Sequence, residues 1–160
     1  MPKPSLDDVD LKILSALQND GRLSNIDLAG QLNLSASPCL RRTKILEANG
    51  VIRGYRAEID RSKVGLGLTV LVSLKVREHS RENAEQLGKG LLQIPEVVSC
   101  HMVSGEADFF AEVVVADLAA YERLLMEKIL TLPMVSDVRS NFVLRSIKND
   151  GPLKLQSAPK

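Results

Sequence analysis

A chain of 160 residues, 44% of them hydrophobic, with a formal net charge of +1, has the composition of a folded protein of one or two domains. No apolar run approaches the roughly 20 residues of a bilayer span, and the opening MPKPSLDD lacks the apolar core of a signal peptide, so a cytoplasmic protein without membrane contact is expected. The two cysteines, Cys39 and Cys100, lie in separate segments, which fits a reducing compartment and no disulfide framework. Balanced total charge does not exclude nucleic acid, because the basic residues can be gathered on one face.

Leu6-Asp7-Asp8 opens a first helix, its acids placed against the positive end of the helix dipole. Val9, Ile13, Leu14 and Leu17 recur at helical spacing until Asn19-Asp20-Gly21 stops the pattern. Ser24 then offers an N-cap hydroxyl to the backbone N–H of Asp27, which stands where a capping box places Glu or Gln. Leu28, Ala29 and Leu32 form the apolar stripe of this second helix, and Asn33-Leu34 breaks it. Ser35 caps a third helix with Pro38 in its first turn, where a missing N–H costs nothing.

The third helix divides by face. Cys39, Thr43 and Leu46 point one way, Ser37, Arg41, Lys44 and Ala48 the other, with Arg42 at the boundary. No acid occurs between Asp27 and Glu47. Hydroxyls and cations of this kind bind phosphate and base edges, so the pair reads as a helix-turn-helix whose second helix enters a major groove of double-stranded DNA. The plain alternative is a solvated helix with ordinary charges; the paired caps and the acid-free window favour DNA. The candidate contacts are Ser35, Ser37, Arg41, Arg42 and Lys44, led by Arg41 and Lys44, with Arg22 and Arg53 touching the DNA backbone at the edges.

Gly50 suits a left-handed C-cap. Val51 to Asp60, rich in strand formers, reads as a wing or a linking strand, and two glycines in Lys63 to Gly67 read as a hinge. The organisation expected is a DNA-binding domain at 1–62, a hinge at 63–68, a second domain at 69–148 and a flexible tail at 149–160.

Beyond the hinge the period changes to two. Val70, Val72, Leu74 and Val76 alternate with Leu71, Ser73 and Lys75 in a strand. A helix follows with Ala84, Leu87, Leu91 and Ile94, then strands at Val97 to Ser104 and Phe109 to Ala116. A second helix carries Leu118, Tyr121, Leu125 and Ile129, and a long strand runs from Val135 to Ile147. The order βαββαβ is a ferredoxin-like arrangement, making the whole chain α+β. Both helices would cover one sheet face. Apolar residues nevertheless occur in both alternating sets, with Val98, Cys100 and Met102 against Val97 and Val103, and Phe109, Ala111 and Val113 against Phe110 and Val114. A second copy is therefore expected on the open face, and a dimer would present two reading heads.

No motif demands a metal or cofactor: the cysteines have no ligand spacing, and there is no Walker loop or GxGxxG. An enzyme would draw on Glu106, Asp108, Glu112 and His101, but no nucleophile motif accompanies them. A third reading is an architectural DNA-wrapping protein with weak sequence preference.

Taken together, the chain from about Leu6 to Ile147 resembles the Lrp/AsnC family of bacterial and archaeal feast/famine regulators. The resemblance rests on Leu11 to Leu17 followed by Asp20-Gly21-Arg22, on LSASPCLRRTKILEANGVIRGY, and on VSGEAD followed by a strand. It implies a transcriptional regulator of amino-acid metabolism genes, assembled as homodimers that build octamers. It also implies an amino-acid effector bound between subunits near Ser104-Gly105-Glu106-Ala107-Asp108. That loop suits the ligand: Gly105 permits a turn whose N–H groups meet a carboxylate, and Asp108 can accept from an ammonium. A plain hairpin is the alternative. By position, Met102, Leu118, Asn141, Phe142 and Val143 are further pocket candidates. Ala107 stands where many members of the family carry an aromatic, which leaves the effector's identity open.

Overall fold

In the computed structural model, which describes residues 6–78, 80–149 and 151–156, the helical and alternating parts of the sequence form two compact units. One unit lies within 1–58 and 148–160, the other is Ile59–Ile147. The opening five residues and the end of the expected tail, 157–160, lie outside the described residues.

The first unit contains α1 (Asp8–Asn19), α2 (Asn25–Gln31) and α3 (Ala36–Ala48). Asp7 and Asp10 form a complete capping box on α1: Asp7 Oδ1 accepts the Asp10 N–H at 2.9 Å, and Asp10 Oδ2 accepts the Asp7 N–H at 3.2 Å. Ser24 caps α2 by accepting the Asp27 N–H at 3.2 Å. Ser35 holds the N-cap position of α3 but makes no capping hydrogen bond. Pro38 supplies the reason, because it occupies the third helical position and removes one of the two N–H groups a cap hydroxyl would take.

At the other end of α3, Gly50 adopts φ +69°. The Val51 N–H reaches the Leu46 carbonyl and the Gly50 N–H the Glu47 carbonyl, both at 2.9 Å, which is a Schellman closure. Ile13, Leu28, Ala29, Cys39 and Leu46 make the buried centre, with Val51 and Ile52 packed against it.

The wing or linking strand expected at 51–60 is not formed. Val51 and Ile52 both give their N–H groups to the Leu46 carbonyl and turn inward, and among the described residues no strand pairs with 53–60. Within the stretch expected to be loose, Leu153 is held by Gln18, whose Oε1 accepts the Leu153 N–H at 2.7 Å and whose Nε2 donates to its carbonyl at 3.4 Å. Gln18→Ala should lower hydrogen-exchange protection of the Leu153 amide roughly fivefold, as expected for one net hydrogen bond of about 1 kcal/mol. Unchanged exchange would show that the side chain does not hold this segment.

The second unit runs β1 (Leu68–Val76), α4 (Arg81–Leu92), β2 (Val97–Met102), β3 (Phe109–Val115), α5 (Leu118–Leu124) and β4 (Val135–Phe142), with a π turn at Leu125–Ile129 extending α5. The sheet order is β2-β3-β1-β4, antiparallel throughout. Val70, Val72, Leu74 and Val76 bury against Leu87, Leu91, Tyr121, Leu124 and Ile129, so both helices cover one face. Tyr121 sets its ring edge against Phe142 at 5.6 Å and shares a hydrogen bond with Ser140.

β3 ends one residue early, at Val115, and two strands stop further short of expectation. β2 stops at Met102 because the Val103 N–H turns to the Asp108 carbonyl. β4 ends at Phe142 instead of Ile147. The Val143 N–H still bonds the Thr69 carbonyl at 3.0 Å, but β1 begins one residue before Thr69 and offers nothing beyond.

The open face is more polar than the alternation suggested. Register places Leu71 beside Asn141 and Glu112, Ser73 beside Arg139 and Phe110, and Lys75 beside Asp137, so Leu71 and Phe110 stand among polar side chains. Cys100 and Met102 pair with Ala111 and Phe109 instead, on the helix side. Among the described residues no helix is long and apolar enough to cross a membrane.

Candidate nucleic-acid interface and effector groove

Helix α3 turns Cys39 and Leu46 into the core and leaves Ser37, Arg41, Lys44 and Ala48 exposed on the opposite side. Ser35 is exposed at the start of the same helix. Arg41 and Lys44 enter no ion pair among the described residues. The structure thus gathers Ser35, Ser37, Arg41 and Lys44. Arg22, in the turn after α1, and Arg53, beyond the C-cap of α3, are also exposed.

Arg42 behaves differently. Its Nη1 lies 2.8 Å from Asp7 Oδ2 and 2.7 Å from Asp10 Oδ1, so its guanidinium faces α1. The Asp10 backbone N–H, and then Arg42, hold the Asp7 carboxyl below the usual carboxylate range, while the two acids strengthen Arg42's hold on its proton. One residue that the sequence reading missed fixes α2 to α3: Asn25 Nδ2 donates to the Ala36 carbonyl at 2.8 Å. Its Oδ1 is buried and has no hydrogen-bond partner among the described residues. Nothing local in the sequence announces that contact.

In the second unit a groove of about 330 Å³ lies on the open sheet face beside the loop after β2. Of the expected effector residues, Ser104, Glu106, Ala107 and Asn141 line it. Gly105 sits in the loop at φ +133°, a conformation that favours glycine. The Asp108 carboxylate accepts the backbone N–H of Val76 at 2.8 Å and belongs to the end of β1. Leu118 and Phe142 line a separate open cleft of about 430 Å³ with Leu68 and Asp117. Met102 is exposed at the end of β2, and Val143 is half-buried beside Thr69.

The groove is completed by residues absent from the sequence-based set: Ser73, Lys75, Val103, Phe110, Asp137 and Arg139. Arg139 closes one side, with Nη1 2.6 Å from Glu106 Oε1 and Nε 3.4 Å from Asp137 Oδ2. Lys75 also lines the groove and enters no ion pair among the described residues. The signal for these residues was the period-two spacing of 73/75 and 137/139/141, which puts each set on one face. Among the described residues no cluster of His, Cys, Asp and Glu is placed to hold a metal ion.

Comparison with known proteins agrees with both halves of this geometry. The family description "Lrp/AsnC ligand binding domain" matches residues 69–153, and "Winged helix-turn-helix DNA-binding" matches 6–53. The chain is 38% identical to the leucine-responsive regulatory protein of Haemophilus influenzae, covering 95% of this chain and 92% of that one. It is 35% identical to the Escherichia coli protein of the same name, covering 98% and 95%. A Neisseria meningitidis transcriptional regulator solved as its L-Met complex superposes with a TM-score of 0.88 at 36% identity, covering 92% and 96%. An AsnC family regulator from Agrobacterium tumefaciens gives 0.85 at 38%, covering 90% and 94%. These relatives are named as regulators, which removes the enzyme reading of Glu106, Asp108, Glu112 and His101. Matched in both halves and along nearly its whole length, this chain belongs to the Lrp/AsnC family of transcriptional regulators.

Proposed function

We propose that this regulator reads an operator with the exposed face of α3 and adjusts its binding to a small amino acid held in the groove of the second unit. The observation that carries the DNA half is the exposed set Ser37, Arg41 and Lys44, whose cations enter no ion pair among the described residues. Arg41 and Lys44 reach base edges or phosphates. Ser35, whose hydroxyl is not engaged in capping, joins Arg22 and Arg53 on the DNA backbone.

The charge pattern of the groove supports a zwitterionic ligand. Lys75 and the loop N–H groups suit a carboxylate, Glu106 and Asp137 each turn one oxygen to Arg139 and have a second to offer an ammonium, and Val103, Ala107 and Phe110 suit a short apolar side chain. The leucine-responsive relatives and the L-Met complex point to the same ligand class. The protein acts in the cytoplasm on genes of amino-acid metabolism, as a homodimer that assembles to an octamer. The effector favours one arrangement of subunits over another, a coupling of about 1–3 kcal/mol.

The test is a gel-shift titration with the duplex upstream of the protein's own gene, against random duplex, with and without each amino acid. Preferential binding altered by one amino acid is expected. Equal affinity for both duplexes would favour an architectural DNA-wrapping role. Arg41→Ala should weaken operator binding by about 1–3 kcal/mol with the fold intact, and unchanged binding would remove α3 as the reader.

A further inference from the structure

We infer that Arg42 is a positioning residue that sets the recognition helix against α1 through Asp7 and Asp10, and that it does not touch DNA. The inference rests on the reading of α3 as the DNA-reading helix and assigns the third basic side chain of that helix a different task from Arg41 and Lys44.

Three observations carry it. Arg42 lies three residues after Cys39 and four before Leu46, both buried, so its side chain leaves the helix along the core-facing ridge. The two acids it meets are already fixed. Each spends one carboxylate oxygen on the capping box of α1 and turns the other to Arg42 Nη1, at 2.8 Å and 2.7 Å. The Asp10 half of the contact is also sheltered, the side chain of Asp10 being 15% exposed and that of Arg42 30%, while Asp7 at 53% closes it on the solvent side. An arginine drawn away to a phosphate would leave two anchored carboxylates unpaired beside the nucleic acid, and their repulsion would oppose the new contact. Held where it is, the guanidinium joins the first turn of α1 to the middle of α3 and fixes the angle at which Ser37, Arg41 and Lys44 are presented.

The test uses the full-length protein, a duplex enriched by it from a random pool, and bulk random duplex. Arg42→Gln is compared with the pair Asp7→Asn and Asp10→Asn, which keeps the capping oxygens but removes the charges, and with all three changes together. Arg42→Gln, still folded at the assay temperature, should bind the enriched duplex about tenfold more weakly, within the range for residues sharing one salt-bridge network. It should lose preference over random duplex while keeping the wild-type dependence on salt. The acid pair should behave alike, the triple variant should be no worse than either, and Arg42→Lys should recover part of the loss.

A helix that was merely destabilised would keep its preference at a temperature where it is folded, so a retained preference overturns positioning. A salt slope smaller by about 0.9 for Arg42→Gln would make Arg42 a phosphate contact and overturn the inference. So would tighter, selective binding by the acid pair, because freeing a DNA contact strengthens it. Failure of the underlying reading looks different, since the wild type would then enrich no duplex. In that case the melting temperatures of the wild type, Arg42→Gln, the acid pair and the triple variant decide about the contact itself: non-additive losses support the clamp, and additive ones remove it.

Discussion

Ile13→Ala is expected to lower the stability of the DNA-binding unit by about 2–5 kcal/mol, the loss usual for an isoleucine cut back to alanine inside a closed core. Ile13 is fully buried and belongs to a centre of five buried residues, with Leu28, Ala29, Cys39 and Leu46. Each of the three helices contributes to that cluster, so the cavity would open where all three meet. A core serving fewer than 70 residues rarely supplies more than about 3–5 kcal/mol, which makes the expected loss comparable with the whole. The consequence should be selective. The core under the sheet, built on Val70, Val72, Leu74, Leu87 and Leu91, is a separate cluster. Calorimetry should therefore show one transition moved sharply down and another in place, with operator binding lost and amino-acid binding kept. Two transitions that fell together would mean that the units unfold as one.

The parts of this molecule legible in its sequence are those determined by local chemistry. The three helices are bounded by caps that act within four residues, so Asp7, Ser24 and Gly50 announce them. The exposed face of α3 follows from the 3.6-residue period alone. Arg42 sat at the boundary of that period, and its direction was decided by acids 35 and 32 residues away. Strand propensity in VIRGYRAEID is also local, but a strand needs a neighbour, and the caps of α3 took the first two amides instead. The groove was half legible for the same reason. Its loop residues are consecutive and could be named together, whereas Lys75 and Arg139 meet only because β1 and β4 pair in one particular register.

Asp108→Ala should cost about 1.5–3 kcal/mol, the range for a hydrogen bond to a charged group whose partner is left unsatisfied. β3 follows β1 only as far as the pair Leu74 and Phe109, and the Asp108 N–H reaches the Leu74 carbonyl at 3.0 Å. Beyond that point the Asp108 carboxylate accepts the Val76 N–H at 2.8 Å, standing in for a strand carbonyl at the bulge between Lys75 and Val76. Asp108 also accepts the Val103 N–H and so closes the loop that lines the groove. This engagement changes what the residue is expected to do for a ligand. A carboxylate spent on the strand shapes the groove, while the ammonium falls to Glu106 and Asp137 on its wall. Asp108→Asn separates the two roles, since the amide oxygen still accepts from Val76 but carries no charge. Calorimetric titration with a panel of amino acids should find Asn close to the wild type in its response and Ala impaired, and thermal melting should find Asn less destabilised than Ala. An Asn variant that melts like the wild type yet no longer answers any amino acid would show that the carboxylate holds the ligand directly, and would leave Glu106 and Asp137 to their pairing with Arg139.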